Sequence, residues 1–346
     1  MNPSMLIDRG AAAGGNNDRA AVLRGVGGYL PPRVVTNDDI VERVGTTKDW
    51  IEQRTGIHRR HVVDEDCATS DLAVGAGERA MASAGGVTPD TVIVATTTPD
   101  HSCPATAPAV AEKLGLEGAA AFDLNAVCTG FVYGLAAAAG LVRLGVSRNV
   151  LLIGADAFTR IVDPTDRDTA AVFGDGAGAV VIGAGDAAEE GALLAFDLGS
   201  EGALKDAIQV PAGGSRRPFT PDTAAAEGML TMAGRLVYRH AVRRMAESCR
   251  SVLAGVDWSV SDVDRLVPHQ ANARILREVA LNLGIAADRL VSNIDRVGNT
   301  AAASIPLALA DATAAGVMQP GERTVLTAFG GGATWGSVAL RWPRLR

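Results

Sequence analysis

Thr129-Gly-Phe-Val-Tyr-Gly-Leu-Ala-Ala-Ala-Ala-Gly-Leu-Val-Arg-Leu-Gly145 and Thr300-Ala-Ala-Ala-Ser-Ile-Pro-Leu-Ala-Leu-Ala-Asp-Ala-Thr-Ala-Ala-Gly316 are equal in length and alike in kind. Both are rich in Ala, Gly and Leu and neither carries a strongly polar face, so both predict helices buried on every side. Each runs into an apolar, strand-like segment, Asn149-Val-Leu-Leu-Ile-Gly154 or Arg323-Thr-Val-Leu-Thr-Ala328. Upstream, the run Val92 to Ala95 leads to a helix ending Glu112-Lys-Leu-Gly-Leu116, and Arg265-Leu-Val-Pro268 leads to one ending Leu281-Asn-Leu-Gly-Ile285. A strand-like segment follows each helix, Ala121 to Leu124 and Leu290 to Ile294. Both halves also carry a glycine-rich motif, Phe173-Gly-Asp-Gly-Ala-Gly and Phe329-Gly-Gly-Gly-Ala-Thr-Trp335. The shared order and spacing mark an internal duplication.

Strands alternating with helices imply sheets covered on both faces. Two such halves, with the buried helices between their sheets, give a five-layered α/β/α/β/α fold. The chain is expected to divide into a flexible N-terminal tail over 1–21, a first half over 22–190 and a second half over 191–346. The tail is poor in core-forming residues and lacks the long apolar segment of a signal peptide.

With 346 residues, 47% hydrophobic and 21% charged, the chain can bury more core than one ordinary domain needs. Aromatic residues make up only 4%, so that core is built from small and branched aliphatic side chains on closely spaced backbones. A net charge of −7 argues against nucleic acid as the main partner. Cysteines 67, 103, 128 and 249 form no CxxC pair and no metal-ligand spacing, which predicts reduced thiols in a cytoplasmic protein. No apolar run is long enough to span a membrane.

The duplication makes Cys128 and Asn299 equivalent, each at the start of a buried helix. If the halves pack about a pseudo-twofold axis, both starts converge on one site. At a helix N-terminus, unpaired N–H groups and the macrodipole favour a thiolate, so Cys128 is the candidate nucleophile, able to hold an acyl group as a thioester. Cys67, Cys103 and Cys249 read as inert small hydrophobes. His269 directly follows the strand-like Arg265–Pro268 run, where α/β proteins place functional side chains. Its counterpart in the first half is His101. Arg235, Arg239 and Arg243 recur every fourth residue and so share one helix face, which Arg274 and Arg277 extend.

Asn125-Ala-Val-Cys128-Thr-Gly-Phe131, Val267-Pro-His269-Gln-Ala-Asn272, Gly298-Asn299-Thr-Ala-Ala-Ala-Ser304 and Phe329-Gly-Gly-Gly-Ala-Thr-Trp335 together resemble the β-ketoacyl-acyl-carrier-protein synthase III family. The resemblance runs from about Val22 to Trp342 and includes Trp50-Ile-Glu-Gln-Arg54 and Asp163-Pro-Thr-Asp-Arg167. It implies a thiolase-like fold and an acyltransferase (EC 2.3.1) that initiates fatty acid or polyketide chains by decarboxylative Claisen condensation. An acyl-CoA primer would be held on Cys128 and joined to malonyl-acyl carrier protein. His269 and Asn299 would donate hydrogen bonds to the malonyl thioester carbonyl, and the backbone N–H groups of Cys128 and Gly331 would form the oxyanion hole. Trp50 and Arg167 match positions that sandwich the adenine of coenzyme A, with Arg54 beside them. The arginine face would receive an acidic carrier protein. No cofactor is implied beyond substrate coenzyme A thioesters.

The resemblance further implies a homodimer in which Cys103 reaches across the interface to close the primer pocket; a small side chain there predicts room for branched or larger primers. Two other positions depart from the family pattern. Arg235 stands where asparagine is common near the pantetheine, and Val127-Cys128-Thr129 replaces the usual Ala-Cys-Ala. The competing reading is a related acyltransferase acting on a hydroxyl or amine, but that chemistry needs a base for the acceptor, whereas a His–Asn pair suits an enolate. A thiolase would need a second cysteine late in the chain, and none follows Cys249. A non-catalytic partner subunit would lack the nucleophile.

Overall fold

The computed structural model describes residues 19–345. The expected tail falls mostly on 1–18, outside the described residues, and its last members, Arg19 to Ala21, are strand and not tail. A backbone ladder recruits them, pairing Arg19 with Asp186, Ala20 with Gly185 and Ala21 with Ala184.

The first half opens with β1 (Arg19–Tyr29), then the short pair β2 (Val34–Thr36) and β3 (Arg59–His61) with α1 (Lys48–Thr55) between them. Next come α2 (Thr69–Ser83), β4 (Thr91–Ala95), α3 (Ala107–Lys113), β5 (Ala120–Leu124) and α4 (Gly130–Arg143). β6 (Asn149–Asp156), the one-turn α5 (Arg167–Ala170) and β7 (Gly176–Asp186) follow. Beyond them lie β8 (Leu193–Ser200), the two-residue strands β9 (Ile208–Gln209) and β10 (Thr231–Met232), and the long α6 (Gly234–Ala254). The chain continues through β11 (Arg265–Pro268), α7 (Ala273–Leu283), α8 (Ile294–Val297) and α9 (Ser304–Ala314). It ends on β12 (Arg323–Gly330) and β13 (Thr334–Arg341).

The first sheet runs β1-β7-β6-β4-β5 and the second β8-β13-β12-β11, the same order of roles. In both, the inner strands are parallel (β4 with β6, β11 with β12), and the returning strand, β7 or β13, is antiparallel to both neighbours. The halves differ at the edge. β5 extends the first sheet, but the expected strand over Leu290–Ile294 shrinks to one parallel bridge, Leu266 to Leu290, and Ile294 already begins α8. The cause is local. The Gln270 side chain donates to the Val291 carbonyl (3.3 Å) and accepts from the Asn293 N–H (3.2 Å), taking backbone groups that a strand would need.

α2 and α3 cover the outer face of the first sheet, α6 and α7 that of the second, and α4 and α9 fill the space between. The middle layer supplies the largest core: Phe131, Leu135 and Val142 of α4 and Ile305 and Leu309 of α9 meet Leu152, Val180, Leu326 and Val338 from the two sheets. The small residues are explained by approach distance. A Cβ on Gly178 of β7 would lie 2.6 Å from the Leu307 backbone nitrogen, so only glycine lets strand and helix meet this closely. The two helices even end alike, with Gly145 (φ 73°) and Gly316 (φ 67°) in the left-handed conformation just beyond them.

Gly178→Ala is therefore expected to cost about 1–3 kcal/mol through overpacking. Gly140→Ala, in the same middle layer but with open space where its Cβ would go, should be neutral or gain up to about 1 kcal/mol. Urea unfolding of the two variants checks this, and equal effects would refute the close-approach account.

Candidate active site

Cys128 sits in a tight turn, Val127–Thr129, that leads into α4. Asn299 stands just before a second turn, Ala301–Ala303, that leads into α9, and the two turns touch. The expected equivalence of Cys128 and Asn299 is off by three residues: Val127 (φ 50°) matches Ala301 (φ 48°), so Cys128 corresponds to Ala302, and Asn299 to Asn125, whose Oδ1 likewise accepts from the N–H two residues on. His269 directly follows β11, its N–H donating to the Thr327 carbonyl of β12 at 2.7 Å. The three side chains are buried, at 7%, 2% and 5% exposure for Cys128, His269 and Asn299, and all line one cavity of about 720 Å³.

Both polar partners are held by second contacts. Asn299 Oδ1 accepts from the Ala301 N–H at 3.0 Å, which leaves the amide N–H groups as donors for a ligand. The residue is pinned in turn by backbone bonds from its N–H to Val172 O (2.9 Å) and from the Gly174 N–H to its carbonyl (3.0 Å). His269 Nδ1 lies 2.6 Å from the Ser304 hydroxyl, which also accepts from the Gln270 N–H at 3.3 Å. When the Ser304 hydroxyl gives its proton to Nδ1, the neutral ring carries its own proton on Nε2. Burial pushes the His269 pKa down to about 3, which favours a neutral ring.

The thiol departs from the sequence expectation. Burial, and after it the charge of Asp156, pushes Cys128 up to about 12, so the helix start does not make it a resting thiolate. Only a short turn, not the first turn of α4 itself, carries the residue, and desolvation outweighs the backbone dipoles. Asp156, fully buried at the end of β6, was not singled out from the sequence. Its oxygens accept from Thr97 N–H (2.7 Å), from the Thr96 and Thr98 hydroxyls (3.2 Å each) and, across the two halves, from Ala302 N–H (3.0 Å).

At the cavity mouth, Trp50 of α1 lies under two cations, with the Arg167 guanidinium 4.9 Å and that of Arg54 5.8 Å from its ring centroid. Thr47 caps α1 by accepting from the Trp50 N–H, and the Asn272 side chain donates to the Arg54 carbonyl, tying α1 to the start of α7. Arg167 arrives on the excursion between β6 and β7, which the second half replaces with the Gly331–Ala333 turn. Arg235 and Arg239 of α6 and Arg274 of α7 also line the cavity, making five arginines against one carboxylate, Asp168. Arg243 and Arg277 do not line it: both are exposed, and Arg243 faces Glu247 at 3.9 Å. Cys103 and His101 sit on an exposed loop after β4, so within one chain neither reaches the cavity, and Cys103 is not a buried hydrophobe.

The glycine run also meets the Cys128 turn. A Cβ on Gly330 would lie 2.9 Å from the Cys128 nitrogen, which brings the end of β12, and Gly331 after it, against that turn. Sequence reasoning missed Ser304, Asp156 and the pairing of Thr129 with Thr334. The first was visible as part of a motif, but its bond to His269 spans 35 residues and no spacing rule announces it.

The two buried groups oppose each other in pH dependence. Burial holds Asp156 up to about 7 and His269 down to about 3. Between about pH 4 and pH 6.5 the folded chain binds more protons than the unfolded one at Asp156 and fewer at His269, so one slope falls while the other rises, each by up to about 1.4 kcal/mol per pH unit. Asp156→Asn removes the falling slope, and its stability should climb with pH across that window more steeply than that of the parent. Urea unfolding at several pH values measures this; parallel slopes would mean that Asp156 stays ionised when buried.

Comparison with known proteins places this site in a family. Residues 122–202 match the model described as 3-oxoacyl-[acyl-carrier-protein (ACP)] synthase III, and residues 253–342 match that of its C-terminal part. β-Ketoacyl-[acyl-carrier-protein] synthase III 5 of Streptomyces coelicolor is 53% identical over 325 residues, covering 94% of this chain and 98% of that protein. The crystal structure of 3-oxoacyl-(acyl carrier protein) synthase III from Pseudomonas aeruginosa PAO1 superposes with a TM-score of 0.88 at 51% identity, over 94% of this chain and 99% of that one. The priming β-ketosynthase from the R1128 polyketide biosynthetic pathway superposes with a TM-score of 0.89 at 32% identity, over 97% and 100%. The duplicated five-layered fold is thus the thiolase-like fold of these enzymes, and the chain belongs to the β-ketoacyl-acyl-carrier-protein synthase III family of condensing acyltransferases.

Proposed function

We propose that Cys128 carries the primer and that His269 and Asn299 stabilise the enolate in this family's condensation, the step that initiates fatty acid or polyketide chains. The reading rests on one observation: a thiol, a neutral imidazole and an oriented amide line the same buried cavity. In the first half-reaction the Cys128 sulfur attacks the acyl-CoA thioester carbonyl. The C–S bond to coenzyme A breaks, coenzyme A leaves as its thiol with the proton from Cys128, and the acyl group stays on the protein. Malonyl-acyl carrier protein then binds in a ping-pong sequence. Loss of CO2 leaves an enolate whose oxygen accepts from His269 Nε2 and Asn299 Nδ2. Its carbon attacks the Cys128 thioester, the C–S bond to Cys128 breaks, and the thiolate takes a proton from solvent.

Neutral donors suit this chemistry because charge develops on the thioester oxygen only as CO2 departs. A neutral His269 also disfavours the hydroxyl- or amine-acyltransferase reading as a source of a general base, since burial strongly opposes its protonation. The N–H groups of Cys128 and Gly331 would hold the tetrahedral oxyanion, in keeping with the contact of the glycine run on the Cys128 turn. Trp50 would stack on adenine. Arg167 now lies over the indole face, so the nucleotide has to displace it, with Arg54 close enough to meet a phosphate. Arg235, Arg239 and Arg274 at the mouth, with Arg243 and Arg277 beyond it, give an overall acidic chain a basic landing area for an acidic carrier.

A homodimer would complete the site. β5 ends the first sheet with one edge unpaired among the described residues and carries exposed Phe122. Pairing two copies there would bring the loop bearing Cys103 of each towards the other's primer cavity. The four free cysteines fit a reducing, cytoplasmic setting.

Intact-mass measurement after exposure to a panel of acyl-CoAs should give a single acyl adduct on the parent and none on Cys128→Ala. His269→Ala and Asn299→Ala should still acylate, yet lose condensation by about 100-fold or more, the scale of removing a preorganised donor. Normal condensation by His269→Ala would sink the assigned mechanism. For the assembly, sedimentation equilibrium should give twice the chain mass and Phe122→Asp should shift it towards the monomer; a monomeric parent would refute the dimer. If Cys103 closes the primer pocket, Cys103→Phe should narrow the range of acyl groups accepted, and an unchanged preference would remove that role.

A further inference from the structure

Val127, the residue before Cys128, has φ 50°, a left-handed conformation that a β-branched side chain resists. Such strain persists only where surrounding contacts over-determine it. The Val127 N–H donates to Asn125 Oδ1 at 3.1 Å, and several further contacts meet at the Ala126 carbonyl oxygen. It accepts from the Thr129 N–H (3.1 Å), and the hydroxyl oxygens of Thr129 (2.6 Å) and Thr334 (3.3 Å) lie within hydrogen-bond distance of it. The two hydroxyl oxygens are themselves 2.6 Å apart, and that of Thr334 lies 3.1 Å from the Gly331 carbonyl. Two protons serve this cluster. Either Thr129 donates to Ala126 and Thr334 to Thr129, or Thr129 donates to Thr334 and Thr334 to the Gly331 or Ala126 carbonyl, and in both arrangements the two hydroxyls are bonded to each other.

The clasp therefore spans the pieces that have to stay in register: the strained turn before Cys128, the residue after it, and the Gly331 segment contributed by the other half. Thr129 is fully buried and lies on the first half, whereas Thr334 opens β13 of the second. We propose that Thr129 and Thr334 are positioning residues whose paired hydroxyls set the separation between the Cys128 and Gly331 backbone N–H groups, and so the rate of attack at Cys128. The proposal rests on the assignment of those N–H groups as the oxyanion hole.

The test is single-turnover acylation of Cys128 by an acyl-CoA, followed by quenched-flow and intact mass, on four variants of the full chain. Thr129→Val keeps the shape and deletes the hydroxyl; its acylation rate should fall about tenfold while KM for acyl-CoA changes less than about threefold. Thr129→Ser keeps the hydroxyl and should return the rate to within about threefold of the parent. Thr334→Val should slow acylation like Thr129→Val, and the double variant should be little slower than either single one, since both delete one shared bond. Parent-like acylation by Thr129→Val, equal damage from Thr129→Ser, or multiplicative losses in the double variant would each overturn the clasp. Should Thr129→Val fail to fold, Thr334→Val carries the same expectation. Absence of any Cys128 adduct on the parent would instead refute the underlying site assignment, a result distinguishable from failure of the clasp alone.

Discussion

The molecule depends on how closely two helices can be sandwiched between two sheets. α4 and α9 have neither a wet face nor bulky flanks, so strands from both halves come down onto them at backbone distance. Because the same packing is repeated, the turns that lead into the two helices meet, and the strands that follow deliver their ends to that meeting point. A larger residue at Gly178 or Gly154 would separate these layers and move the turns with them.

Burial of that meeting point explains its chemistry. The same desolvation that holds the Cys128 thiol protonated also strips His269 of its proton, so the resting cavity contains uncharged donors next to an uncharged sulfur. Groups of this kind do little for a neutral thioester, and much for an enolate or oxyanion that appears in a water-poor space. Charge is concentrated instead at the mouth, where arginines of α1, α5, α6 and α7 stand in reach of solvent and of phosphates. Under the proposed roles, recognition and reaction are separated by depth.

The sequence made the architecture readable because its signals are local or periodic: two helices of one composition, matching strand runs, and motifs in a fixed order. Cys128 and Asn299 were legible because each lies close to the start of a middle-layer helix, and His269 because it follows β11, although the repeat register that paired Cys128 with Asn299 was off by three residues. The failures have identifiable causes. Leu290–Ile294 has a strand's composition, yet the Gln270 side chain captures its backbone groups, a competition that no apolar pattern reveals. The expected thiolate came from counting backbone dipoles without knowing how completely the turn is desolvated. Ser304, Asp156 and the Thr129–Thr334 pair act through contacts between residues distant in sequence, and they emerge only once the halves are packed together.

The duplication carries a genetic consequence. Two identical copies meeting about an axis would present two identical turns, and any substitution in the gene would alter both. Joined in one chain, the copies can differ: the first turn carries a sulfur at position 128 where the matching turn of the second has Ala302, while each keeps an asparagine, Asn125 or Asn299, just before its turn. In the same way the first copy has lengthened its β6–β7 connection to carry Arg167, where the second keeps a tight glycine turn. Asymmetry of the substrates, a small acyl donor and a carrier-borne extender, can thereby be matched by asymmetry of the protein. Neither half holds all three of Cys128, His269 and Asn299, so a gene fragment encoding only one of them would inherit a scaffold without the whole proposed site.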